Sequence, residues 1–268
     1  MRKDRMRHKS KIRVKKGVKM QRSVLGNLKI VLMAVLAVGT FMVSQAMATH
    51  VPGALLQGVL DNITVNGPSS VDVTTDYIDD QYDSYWDITA SGGSLATMII
   101  EVAGFAPNNV FGVYSGDKYV TLFEGADEAG KQVTLSIAAD GSVYVNHQDT
   151  GVDFASTSFG YFLDSSYYGS GGLWHSDTSL NDDGEDHMYA YQGTGDIVQI
   201  DPWDAGEWTP QEYILAFEDL CGECADWDFR DMVVMVESVQ PVPEPATFLL
   251  FGAGLIGIAG FARRTVLK

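Results

Sequence analysis

From residue 85 onward, apolar and polar positions fall into short runs of β character. Val133, Leu135 and Ile137 interleave with Thr134 and Ser136, the period-two pattern of a strand with one buried face. Asp140-Gly141 follows as a hairpin turn, and residues 143–145 answer it. Residues 95–102, 110–114, 119–123, 159–163 and 197–200 are further apolar or aromatic runs, punctuated by Gly and Asp. A strand is also predicted around 58–65, and the aspartate-rich stretch 72–83 reads as a solvated loop. No stretch sustains a helical period. The expected fold is all-β, an antiparallel β-sandwich or jelly roll.

The last part of this pattern organises the rest. Over residues 214–236, two apolar runs, 214–217 and 232–236, flank an acidic loop. It reads as a hairpin whose connection carries Glu218, Asp219, Glu223, Asp226, Asp228 and Asp231 against one cation, Arg230. Carboxylates this close repel one another unless solvent, protons or a metal relieves them.

The two ends follow different rules. Residues 1–29 are basic, and residues 30–43 form an apolar run of 14 residues. Ala46-Met47-Ala48 then supplies the small-x-small cleavage pattern, with Thr49 as the new N-terminus. Residues 1–48 are therefore expected to be a secretory signal peptide with a signal helix, the alternative being an uncleaved anchor. At the other end, Val242-Pro243-Glu244-Pro245 interrupts regular structure. Residues 247–262 are apolar and Gly-rich, a short transmembrane helix that ends at Arg263-Arg264.

Charge sharpens this division. Of 18 Lys and Arg, 12 precede residue 30 and only Lys118, Lys131 and Arg230 lie between residues 50 and 243. That body holds 33 of the 35 acidic residues, so three cations against 33 carboxylates leave it near −30. Such a body repels nucleic acid and attracts divalent cations or basic partners. The expected organisation is 1–48 signal peptide, 49–84 acidic lead-in, 85–240 β-domain and 241–268 tail.

Candidate chemistry is concentrated in two acidic clusters. Glu218, Asp219, Asp226, Asp228 and Asp231 suit calcium, which takes six to eight oxygens in irregular geometry. Equally, they suit a structural knot that caps backbone N–H groups and pairs with Arg230. Asp177, Asn181, Asp182, Asp183, Asp186 and His187 read as a turn, or as a second calcium site through Asp177, Asn181 and Asp183. Zinc at His175 and His187 has no supporting spacing. Cys221 and Cys224 suit a small-loop disulfide in an exported protein, with free thiols or redox work as alternatives. Trp174, Trp203 and Trp208 could stack on sugars, but read first as core or loop-packing residues. G-x-S-x-G, H-E-x-x-H and P-loop motifs are absent.

The tail, with V-P-E-P at 242–245, a short apolar helix and Arg263-Arg264, resembles the PEP-CTERM sorting signal of exopolysaccharide-producing Gram-negative bacteria. That resemblance implies recognition by an exosortase, a membrane cysteine protease-transpeptidase, and release from the inner membrane by cleavage near the motif. The body resembles an exported domain of unknown function, numbered 4114, often joined to such a tail. The resemblance rests on A-G-F-A-P-N-N-V-F-G-V-Y (103–114), L-F-E-G-A-D (122–127), F-G-Y-F-L (159–163), S-D-T-S-L-N-D-D-G-E-D-H-M-Y-A-Y (176–191), F-E-D-L (217–220) and D-W-D-F-R-D (226–231).

The expectation is a non-enzymatic protein of the cell surface or exopolysaccharide matrix, adhesive or structural, with calcium as cofactor. Its partners would be the exosortase, the secretion machinery and extracellular polysaccharide. A carbohydrate-binding module is the second reading and a surface hydrolase the third.

Overall fold

In this computed structural model, residues 50–100, 108–125, 127–167 and 169–243 are described. The signal segment with Ala46, Ala48 and Thr49, and the tail from Glu244 through Pro245, Arg263 and Arg264, lie outside the described residues. No helix among the described residues is long and apolar enough to cross a membrane.

The first element among the described residues is helix α1 (Ala54–Ile63), followed by the single turn α2 (Asp80–Asp83). Strands β1 (Tyr85–Ile88), β2 (Ser94–Ile100), β3 (Val110–Ser115), β4 (Lys118–Glu124) and β5 (Gln132–Ile137) follow. Next come β6 (Ser142–Val145), β7 (Gln148–Asp153), β8 (Gly160–Asp164), β9 (Leu173–His175) and β10 (Met188–Gln192). The last are β11 (Ile197–Val198), β12 (Gly206–Glu207), β13 (Glu212–Phe217), β14 (Met232–Glu237) and β15 (Val239–Val242).

These strands form a seven-stranded sheet, β10-β13-β14-β2-β5-β6-β7, and a four-stranded sheet, β4-β3-β8-β9, with two small pairs, β1-β15 and β11-β12. Every named pairing is antiparallel. The fold is all-β in its sheets. The two large sheets enclose one core: Phe111, Val113, Tyr161 and Leu163 from the smaller meet Met98, Leu215, Phe217 and Val234 from the larger.

The expected hairpin is present as β13 and β14, in register from Glu212↔Glu237 to Phe217↔Met232. Its near-continuous apolar sequence has a physical reason: both faces are covered. Tyr213, Leu215, Phe217, Met232, Val234 and Val236 enter the inter-sheet core. Ile214, Ala216, Val233 and Met235 face the other way, onto a second core built with Leu56, Val59 and Leu60 of α1. Two buried faces leave no polar position to alternate with.

That second core explains a correction. The strand expected over 58–65 is helix α1 instead. Leu56, Val59, Leu60 and Ile63 recur at helical spacing and give it one apolar stripe. Gly58 has open space around its α-carbon, so it sits away from the packed side. The stretch 72–83 is likewise not all solvated loop. It ends in α2, and Asp83 is buried there at 1 % exposure. Strand β7, which lacked a turn signal, pairs with β6 across Asn146-His147, both at positive φ (51° and 63°). The left-handed turn is made without glycine, through Asn, the residue that tolerates it best among the rest.

Candidate functional site

The acidic loop leaves β13 at Phe217 and re-enters β14 at Met232. Its base is closed by Asp231 N donating to Phe217 O at 3.2 Å. Between lie Trp227 and Phe229, both at φ +54°. Left-handed backbone at an aromatic residue costs on the order of 1–3 kcal/mol and persists only when packing over-determines it. Here it does. Trp227 stacks on His50 with ring centroids 4.0 Å apart, and fully buried Phe229 packs edge-on against Tyr189 at 4.7 Å.

The result is convergence. Glu218, Asp226, Asp228 and Asp231 each place a carboxylate oxygen so that all four lie within 4.8 Å of one another. Some of their oxygens have donors. Asp231 Oδ2 accepts from Asp219 N at 3.1 Å, Asp228 accepts from Arg230 N at 3.0 Å and Arg230 Nε at 2.6 Å, and Glu218 Oε1 accepts from Leu220 N at 3.3 Å. Glu218 Oε2 is different: its residue is 1 % exposed and this oxygen is buried with no hydrogen-bond partner.

The electrostatics follow from burial and repulsion. Burial first, then the charges of Asp226, Asp219 and Asp228, push the Glu218 carboxyl up to about 7. Burial, then Glu218, Asp219 and Asp228, push Asp231 up to about 9. Arg230 answers only Asp228 directly. A hard divalent cation bound by all four would relieve this repulsion and give Glu218 Oε2 a partner.

Asp219, expected in the same set, is turned elsewhere. Its Oδ2 accepts from Asn109 Nδ2 at 3.1 Å, and its carbonyl accepts from Trp174 Nε1 at 2.8 Å and Ser165 Oγ at 2.5 Å. It ties the loop to the smaller sheet.

The second cluster is spread over its own turn. Asp177 accepts from Ser179 N at 3.0 Å and from Tyr85 Oη at 2.9 Å. Asn181 accepts from His175 N at 2.7 Å and donates to Glu185 O at 3.0 Å. Asp183 accepts from Glu185 N and lies 3.0 Å from His187 Nε2. His175 Nε2 sits 3.0 Å from Tyr119 Oη, whereas His187 Nε2 faces Asp183, and no metal-type group among the described residues includes either histidine. Cys221 precedes a 3-10 turn (Gly222–Cys224) that Cys224 ends; both are thiols, the first half-buried and the second exposed.

Two carboxyls outside those expected, Asp80 and Asp83, come together with Asp186 of the second cluster. Thr178 Oγ1 donates to Asp80 Oδ1 at 2.7 Å, and Asp83 Oδ2 is buried without a hydrogen-bond partner. Burial, then the neighbouring Asp186 and Asp80, hold the Asp83 carboxyl well above the usual range; burial and Asp80 do the same to Asp186. The available signal was the run of five aspartates over 72–83 without a cation.

Among the tryptophans proposed for sugar stacking, Trp174 and Trp208 are core residues, whereas Trp203 is 43 % exposed.

Residues 128–239 match the family model described as a domain of unknown function (DUF4114), and residues 241–264 match the PEP-CTERM protein-sorting motif. The first match starts after the 103–114 and 122–127 segments and contains the whole four-carboxylate loop. The second begins within the last two residues of β15 and runs into the tail, a sorting signal of exported proteins that implies an exosortase. No curated protein matches the chain. No solved structure matches it either.

Proposed function

We propose that this is a non-enzymatic protein of the cell surface or exopolysaccharide matrix, whose β-domain is stabilised by one calcium ion in the β13–β14 loop. Glu218, Asp226, Asp228 and Asp231 would hold the ion. The observation that carries this reading is the unpartnered, buried Glu218 Oε2 within a group of four carboxylates spanning 4.8 Å. Calcium suits the donor set, because it accepts irregular all-oxygen coordination and leaves water to complete six to eight ligands.

The role of such an ion is structural. It would bind the end of β13 to the start of β14, the pair at the centre of both cores. An adhesive or matrix-building role fits a body of charge near −30, in which calcium also bridges acidic polymers. Sorting would proceed through the exosortase at the motif beginning Val242-Pro243.

Two measurements test this reading. Isothermal titration of the exported protein with calcium should give a site near one ion per chain that Glu218→Gln removes. Heat unchanged by that substitution contradicts the ion assignment. Removing residues 243–268 should abolish the membrane-bound precursor and its processed product. Processing that continues without the tail contradicts the sorting assignment.

A further inference from the structure

One cavity lies well apart from the acidic loop, on the outer face of the seven-stranded sheet. It measures about 150 Å³, and its lining includes Trp203, Glu207, Glu212 and Glu237, with Thr97 and Gln132. Asp204 is a further lining carboxylate, and no lysine or arginine lines it. Glu212 and Glu237 stand directly opposite each other in the β13–β14 register, where like charges destabilise a sheet. Burial and the charge of Glu212 hold the Glu237 carboxyl above its usual range. Glu212 is fixed by accepting from Thr209 N at 2.6 Å.

Trp203 supplies the apolar element. Its indole Nε1 already donates to Gly130 O at 2.7 Å, and its backbone N donates to Ile200 O at 2.8 Å. The ring is therefore pinned, its one polar donor is used, and what it offers a ligand is its π face. Gly130 has φ +82° and lies against the backbone of Asp201, so a side chain there would displace the 201–203 segment.

A pinned indole beside an uncompensated pair of glutamates recognises a cation with a flat, weakly hydrated face. Guanidinium stacks on tryptophan and forks two hydrogen bonds to a carboxylate, whereas ammonium is compact and strongly hydrated. Ligand pockets for drug-sized molecules start at about 300 Å³, so a cavity of about 150 Å³ suits one side chain. We infer that the cavity captures an arginine side chain of a partner polypeptide, with Trp203 stacking on the guanidinium and Glu212 and Glu237 receiving its N–H groups.

The test follows the Trp203 indole N–H resonance of the 15N-labelled exported protein, identified with Trp203→Phe. All titrations are run in saturating calcium, so the result is separate from the proposed ion site. N-acetyl-arginine amide should shift this signal in a saturable way and N-acetyl-lysine amide more weakly. N-acetyl-citrulline amide, the uncharged near-isostere, should leave it in place. Glu212→Gln with Glu237→Gln should weaken arginine binding at least tenfold while the rest of the spectrum keeps its dispersion. An arginine-containing peptide should bind at least as well as the capped amino acid. Citrulline matching arginine, glucosamine matching it, or undiminished binding by the double variant would overturn the proposal. So would a calcium-induced shift of Trp203 that blocks arginine, which would make the cavity a metal site.

Discussion

His187 clamps Glu218 from both sides. Glu218 N donates to His187 O at 3.0 Å, and His187 Nδ1 lies 3.1 Å from Glu218 O. A carbonyl only accepts, so Nδ1 carries the hydrogen. The imidazole is fully buried and stacks on Trp174 with centroids 3.7 Å apart. The second acidic turn therefore holds the backbone of the residue whose carboxylate heads the first. It supports the proposed ion site from outside its ligand set.

His187→Ala should accordingly cost roughly 2–4 kcal/mol of stability, because it leaves a cavity beside Trp174 and an unpaired carbonyl. It should also weaken calcium binding without removing a ligand. Urea denaturation with and without calcium measures both. A loss of stability with unchanged calcium affinity would separate the clamp from the site.

The raised carboxyls set a pH dependence. Glu218 near 7 and Asp231 near 9 in the folded chain compare with about 4.3 and 3.9 unfolded. Between those limits the native state holds more protons than the unfolded state, so stability falls as pH rises. In chelator, the denaturation midpoint should decline from about pH 5 to pH 9. With calcium the decline should flatten, since the ion replaces the protons and binds more tightly as they leave. A midpoint that rises with pH in chelator contradicts the electrostatic account.

Asp83 gives a sharper case. Its carboxyl is buried beside Asp186 and Asp80 with one oxygen unpartnered. Asp83→Asn replaces it by a neutral group of the same shape. The substitution should stabilise the protein at pH 8 and change little at pH 4, where the native carboxyl is protonated. Denaturant midpoints at the two pH values decide it; destabilisation at both would mean that a charged Asp83 is required.

Much of this arrangement was legible in the residues. The β13–β14 hairpin, the Asp140-Gly141 turn and the acidic loop follow from local pattern, because each is set by neighbours in sequence. What was not legible depends on distant packing. Helix α1 carries a glycine and β-branched residues, and takes its stripe from the far face of β13 and β14. Asp83 reads as one of a solvated run, and only α2 folding under the 176–187 turn buries it. Asp219 looks like a ligand beside Glu218, yet consecutive residues leaving a strand point to opposite sides, so it reaches Asn109.

The central claim is that Glu218, Asp226, Asp228 and Asp231 bind calcium and thereby stabilise the fold. Thermal melting at pH 7.5, in excess calcium and in chelator, tests it most directly. At a calcium concentration about 100 times the dissociation constant, binding adds about 2.7 kcal/mol, or about 5–10 °C for a domain of this size. The account predicts that rise, and its loss in Glu218→Gln. Equal melting temperatures in calcium and chelator would contradict it.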